Sequence, residues 1–159
     1  MNIRKARESD IPRLDALLYQ VHRVHSAGRP DIFRAGNKKY TDDELKVILA
    51  DARLPVFVAT DEADTVLGYA FCVHQEVCGD RSLQDRKTLY IDDLCVDEVC
   101  RGQHIGRALY RYVLDYAREC GCNAVTLNVW CLNDGAMKFY EKCGMTPLKI
   151  TMEQRLKID

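Results

Sequence analysis

Between Arg101 and Arg107 the chain reads Arg-Gly-Gln-His-Ile-Gly-Arg, placing two guanidinium groups and two glycines at the start of a helical pattern. A helix N-terminus presents unpaired backbone N–H groups and about half a positive charge. Glycine lets a ligand come close to the backbone, and arginine adds charge and forked donors. Arg101, Gly102, Gln103, His104, Ile105, Gly106 and Arg107 therefore make a candidate pyrophosphate site. The pattern GxxxxGK[ST] is absent, and GxGxxG fails because only Gly102 and Gly106 are available. Just upstream, Asp92 and Asp93 sit in the strand-like segment LYIDDLCV. Successive strand residues face opposite ways, so only one carboxylate is expected on the core side, with a role in substrate binding or proton transfer. Burial there would raise its pKa and improve it as a base. Cys95 lacks any neighbouring activating base in the sequence and reads as a small hydrophobe.

These residues need a scaffold, and the periodicity supplies one. Asn2–Ala6 reads as a strand, and Ser9 as the N-cap of a helix through Ile11, Leu14, Leu17, Leu18 and Val21. Residues 22–40 carry Gly28, Pro30 and Gly36 and read as a loop or short irregular helices. Thr41-Asp-Asp-Glu44 is a capping box. PVFVAT and VLGYAFCVHQEV are expected to form a hairpin, followed by LYIDDLCV. Ile105, Leu109, Tyr112, Val113, Tyr116, Ala117 and Cys120 mark one helical face, which Gly121 ends. AVTLNVW (124–130) follows as a strand, parallel to LYIDDLCV through a right-handed crossover. Asn133 caps a further helix with Phe139 and Tyr140, and MTPLKITMEQRL is expected to form a last strand or strand pair. The class is α+β: a mixed, mostly antiparallel sheet with a parallel β-α-β unit.

The 159 residues fit a single domain, 1–159, with ordinary globular composition of 47% hydrophobic and 30% charged residues. A formal net charge of −1 and no aromatic-basic pattern argue against nucleic acid as partner. The apolar runs are shorter than the roughly 20 residues of a membrane span, and MNIRKARESD has no signal-like core, so a cytoplasmic protein away from membranes is expected. The eight cysteines include no CxxC pair and are expected as free thiols, with no metal site.

Arg101-Gly-Gln-His104-Ile-Gly106 resembles the acetyl-CoA signature [QR]-x-x-G-x-[GA] of the GNAT superfamily of N-acetyltransferases. ESDIPRL resembles that family's first-helix entry, YIDDLCVDEVCRG its fourth strand and pyrophosphate loop, and NDGAMKFYEKCGM its last conserved helix. His104 stands where the signature has its first glycine, which is comfortable only if no positive φ is required there. The resemblance implies direct acetyl transfer from acetyl-CoA to a primary amine of a small molecule or peptide. Tyr140 would protonate the departing sulfur, Asp92 would serve as base, and Asp93 would hold a cationic acceptor. The backbone of Leu94, Cys95 and Val96 would pair with the pantetheine arm, with Asn133 contacting that arm as well as capping its helix. The variable segment 22–40 would wall the acceptor pocket with His22, His25, Asp31, Phe33 and Arg34, joined by Tyr90, while Arg29, Arg34, Lys38 and Lys39 equally permit an acidic acceptor. A homodimer through sheet edges is compatible with the resemblance. A catalytically silent CoA-binding sensor or interaction module is the alternative.

Overall fold

Thr41 and Glu44 cap each other. The Thr41 hydroxyl accepts from the Glu44 N–H at 3.2 Å, and the Glu44 carboxylate accepts from the Thr41 N–H at 2.7 Å. This reciprocal pairing satisfies two donors that a helix start leaves open, and it starts α2 (Asp42–Ala50) where the sequence placed it. The computed structural model describes residues 1–156. Its other elements are β1 (Asn2–Lys5), α1 (Ile11–Gly28), β2 (Val56–Thr60), β3 (Val66–Val77), β4 (Arg86–Val96), α3 (Ile105–Glu119), β5 (Ala124–Leu127) and α4 (Asp134–Lys142). Met1–Asn128 form one compact unit and the residues from Val129 a second, smaller one containing α4.

The first unit is built on a five-stranded sheet in the order β1-β2-β3-β4-β5. Every pairing is antiparallel except β4 with β5, which run parallel as the crossover through α3 requires. All five β2 residues are buried, because helices cover both faces. On one face Val56, Val58, Tyr69, Phe71 and Cys95 pack with Ile11, Leu14, Leu17 and Leu18 of α1 and Leu45 of α2. On the other, Phe57 meets Tyr112 and Tyr116 of α3 edge-on at 5.1 and 4.9 Å.

Local chemistry moves several boundaries. Ser9 lies inside a 3₁₀ turn (Glu8–Asp10) rather than at the N-cap, and α1 starts after Asp10. The Asp10 carboxylate is fixed there by a fork from Arg4 at 2.7 and 3.0 Å and by the Arg7 N–H at 2.8 Å. α1 also runs on to Gly28, beyond the break expected at residue 22. β5 stops at Leu127, short of Trp130. The expected last strand is not formed: residues 145–156 are irregular, with Leu148, Ile150, Met152 and Leu156 exposed. An alternating apolar pattern becomes a strand only when a neighbour accepts its ladder, and among the described residues none does.

Two positions set how β3, β4 and α3 meet. A Cβ at Gly68 would stand 2.7 Å from the Cys95 carbonyl oxygen of β4 and 3.3 Å from Leu109 of α3. The side chain must be absent for β3 to seat against both. His104, the residue before α3, has φ +62°, the left-handed conformation that glycine adopts freely and other residues adopt at a cost of about 1 kcal/mol.

Gly68→Ala is expected to destabilise the protein by about 1–3 kcal/mol through overpacking against β4, read as a lower denaturant midpoint at unchanged m-value. His104→Gly is expected to shift stability by less than about 1 kcal/mol, because relief at φ is offset by a freer unfolded chain, whereas the β-branched His104→Val should lose more than that. Equal midpoints for the two His104 variants in urea titration would show that no left-handed residue is needed there.

Candidate active site

Four exposed residues, Arg101–His104, lead into α3, and Ile105 then turns into the core at 3% exposure. Gly102 takes φ +80° with open space where a Cβ would be, and His104 follows in the left-handed region. The first α3 bond closes from the Ala108 N–H to the His104 carbonyl at 3.0 Å, so the N–H groups of Ile105, Gly106 and Arg107 precede the intrahelical ladder. Arg101 and Arg107 are exposed, and Arg101 Nε reaches back to the Val96 carbonyl at 3.4 Å. Asp97, 5% exposed, holds the base of the loop: it accepts from the Val99 N–H, from Gln20 at 3.3 Å and from the Arg13 guanidinium. Gln20 in turn accepts from the Glu98 N–H at 3.2 Å. Arg13, Gln20 and Asp97 escaped the sequence reading, since residues 77 and 84 positions apart carry no local signal of contact. A shallow cavity of about 460 Å³ flanks the loop, lined by Ile3, His104, Arg107, Arg111, Tyr112 and Asp115.

The strand before the loop is irregular at one residue. The β3–β4 register passes from Phe71↔Asp93 to Cys72↔Ile91, leaving Asp92 as an extra residue without a partner. Strict alternation is therefore broken, and the expectation that the two carboxylates face opposite ways does not hold. Both converge on one ammonium: Lys39 Nζ lies 2.8 Å from Asp92 Oδ2 and 4.0 Å from Asp93 Oδ2. Tyr40 donates its hydroxyl to Asp92 at 3.0 Å, and Tyr69 donates to Asp93 at 3.1 Å. Tyr69, Phe71 and Tyr40 form an aromatic wall, with ring centroids 5.0 and 5.9 Å apart in succession.

The two acids sit in different surroundings. The Asp92 side chain keeps 28% of its exposure, the Asp93 side chain 12%. Burial pushes the Asp93 carboxyl up to about 6, against the pull of the Lys39 ammonium and the Tyr69 hydrogen bond, with Asp92 adding to the rise. Burial also raises the Tyr69 phenol well above its ordinary value, so it stays a donor. Burial opposes the charge on Lys39, but the Asp92 hydrogen bond and the two carboxylates outweigh it and raise its pKa.

On its other edge β4 pairs with β5 only from Thr88↔Ala124 to Ile91↔Leu127. β4 continues through Asp92, Asp93, Leu94, Cys95 and Val96, with no strand beside it on that side among the described residues. An open strand edge presents N–H and C=O groups to any extended ligand. The Cys95 thiol points into the core, 3.9 Å from the Leu17 carbonyl, and burial pushes it up to about 12.

The segment before α2 is tied down by charge. Lys38 bridges Asp15 at 2.8 Å and Asp42 at 3.6 Å, and Arg29 pairs with Asp31 at 2.8 Å. Arg29, Lys38 and Lys39 thus face internal acids, which counts against a free basic patch for an acidic acceptor. Phe33 packs on His22 and His25 at 6.1 and 5.2 Å, and His22 Nε2 lies 2.6 Å from the Arg34 carbonyl. The Tyr90 hydroxyl accepts from Asn128 at 3.1 Å. In the second unit, Asn133 caps α4 by accepting from the Ala136 N–H at 3.1 Å, and the half-buried Tyr140 packs edge-on against Phe139 at 5.0 Å.

Comparison with known proteins agrees with this architecture. Residues 18–145 match the Acetyltransferase (GNAT) family. A point variant of the BH1408 protein from Bacillus halodurans, solved by crystallography, superposes with a TM-score of 0.95 at 34% identity, covering 99% of this chain and 100% of that one. The aminoglycoside N-acetyltransferase AAC(6')-Iy in complex with CoA shares the fold at a TM-score of 0.73 and 13% identity, covering 99% and 100% of the two chains. Glucosamine 6-phosphate N-acetyltransferase of Arabidopsis thaliana is 34% identical over 68 residues, 43% of this chain. The matched stretch spans 44% of that enzyme's length. With a family match over most of its length and a near-superposable relative, the chain belongs to the GNAT acetyltransferase family.

Proposed function

We propose that this protein is an acetyl-CoA-dependent N-acetyltransferase that acts on a cationic primary amine by direct transfer. What carries this reading is the pair of carboxylates at the β4 bulge, placed where β4 parts from β5 and gathered around an ammonium. The residues suit the donor. Arg101, Arg107 and the first-turn N–H groups of α3 would hold its diphosphate, and the open edge of Leu94, Cys95 and Val96 its pantetheine arm. Acetyl-CoA supplies the acetyl group as an activated thioester.

An alkyl ammonium has a pKa of about 10.4 and must lose a proton before it can attack. Asp93 is assigned as the base that accepts it, because burial lifts its carboxyl to about 6, near the working pH. Asp92, more exposed and already pairing with an ammonium, is assigned to hold the acceptor's charge. This reverses the roles the family resemblance implied for the two acids. Tyr140 is assigned, on that resemblance, to return a proton to the departing thiolate. Cys95 is left out of the chemistry, since a thiol protonated up to about 12 is a poor nucleophile at neutral pH. A small-molecule acceptor fits the names of two relatives, which act on an amino sugar and on aminoglycosides. Peptide amino groups form the second acceptor class to screen.

The test is CoA release in proportion to added amine, across polyamines, aminoglycosides, amino acids and N-terminal peptides. Wild-type protein is expected to turn over at least one of them, and Tyr140→Phe to lower kcat about 100- to 10,000-fold, the range of general acid catalysis. CoA binding by calorimetry without transfer to any of these amines would leave a silent CoA-binding module instead. With Asp93 as base, kcat/KM should rise with pH through a limb centred near 6, because the ionised carboxylate is the active form. Asp93→Asn should abolish that limb; an unchanged profile would remove Asp93 from proton transfer.

A further inference from the structure

Among the described residues, Lys39 already does what the acceptor is proposed to do. Its ammonium lies 2.8 Å from Asp92 and 4.0 Å from Asp93, and 5.3 Å from the centroid of the Tyr40 ring. Those are the partners a substrate ammonium would seek: two carboxylates and an aromatic face. The side chain enters from the segment between α1 and α2, not from the sheet that carries the acids. It keeps 35% of its exposure, so it can leave into solvent without unpacking the core. Its neighbour Lys38 is separately pinned to Asp15 and Asp42, and Tyr40 packs on Phe71. The backbone there is therefore held whether or not Lys39 stays on the acids.

We propose that Lys39 is an internal occupant of the acceptor seat, a tethered ammonium that a cationic acceptor displaces from Asp92 and Asp93, and so a specificity-determining residue for the transfer. This rests on the acetyltransferase reading above. The charge balance gives the consequence. With Lys39 in place, the two ionised acids carry one uncompensated negative charge; with Lys39 displaced, they carry two. An acceptor with a single ammonium exchanges one cation for another and gains little. An acceptor with two or more ammonium groups compensates both acids, so polyamines and aminoglycosides should be preferred over monoamines.

The same geometry sets the pH response. The groups facing Asp93 are Asp92, the Leu94 N–H and Cys95 of β4, Tyr69 of β3, and Lys39 from the segment before α2, whose Tyr40 bonds Asp92 instead. Lys39 is the cation among them, and it favours the ionised carboxylate. Its removal should move the acid limb of kcat/KM to higher pH while strengthening the seat for an added ammonium above that limb.

The experiment compares wild type, Lys39→Met and Lys39→Arg. Steady-state kinetics use the best amine from the panel together with n-butylamine and spermidine as fixed probes, with calorimetry of both probes on the CoA-loaded protein. At pH 7.5 to 8, Lys39→Met should lower KM or Kd for the monoamine about tenfold, equivalent to roughly 1.4 kcal/mol, and narrow the preference for spermidine. Its acid limb should move up in pH, and Lys39→Arg should restore the wild-type pattern. A residue that only braces the loop would instead lower Tm and raise KM for every amine alike. If the wild type turns over amines but Lys39→Met leaves KM and the limb in place, the Lys39 proposal falls and the acetyltransferase reading stands. If no variant transfers acetyl yet Lys39→Met binds n-butylamine more tightly, the seat stands and the catalytic reading falls. Failure of all three proteins to bind either probe overturns the seat.

Discussion

A single extra residue in β4 brings the two acids of this protein together. In a regular antiparallel ladder Asp92 and Asp93 would project from opposite faces of the sheet, one toward α1 and α2 and the other toward α3. The bulge at Asp92 removes that alternation and lets both carboxylates reach one ammonium. It also coincides with the point where β4 loses β5 as a neighbour, so the two acids stand at the start of an unpaired length of strand. Like charges so placed repel each other, and the deeper of the two is harder to ionise. The bulge thus yields a charged seat with a raised carboxyl, and the end of β5 leaves an open backbone edge in the same place.

The rest of the first unit supports that arrangement. Covering both faces of the sheet makes β2 and the middle of β3 fully buried, a stiff platform on which β4 can carry an irregular residue. Gly68 lets β3 approach the Cys95 carbonyl, which fixes the backbone just beyond the acids. The loop into α3 is fixed from the other side, by Arg13 and Gln20 of α1 acting on Asp97. α1 therefore serves twice, as half of one core face and as the brace for the arginine- and glycine-rich turn before α3. His104 accepts a left-handed backbone within that turn, a strain of the kind that persists where surrounding structure over-determines the conformation.

The segment between α1 and α2 has a different character. It is largely exposed, held by ion pairs and ring contacts rather than by core packing. Each exposed ion pair is weak by itself, so the segment is held by several of them together with the ring contacts. On the proposed reading, acceptor selectivity would reside in a part of the chain that lies outside the sheet.

Much of the fold could be read from local patterns. The capping box at Thr41, the 12 residues of β3, the amphipathic face of α3 and the parallel β4-α3-β5 unit follow from short-range rules of periodicity and turn chemistry. So did the arginine- and glycine-rich loop, because its residues are contiguous. Exact register and contacts between distant side chains lay beyond reach. No one-chain pattern reveals that Asp92 is an extra residue relative to β3, and a one-residue change in register redirects every side chain it touches. Nor does the sequence place Lys39, read there as one of four basic residues open to an acidic acceptor, against Asp92, 53 positions away. The strand pattern after Met145 was equally plain, and yet no ladder formed, because hydrogen bonding needs a neighbour that periodicity cannot supply. Local geometry is decided by residues in succession; the acid seat was decided by residues that meet only once the sheet is assembled.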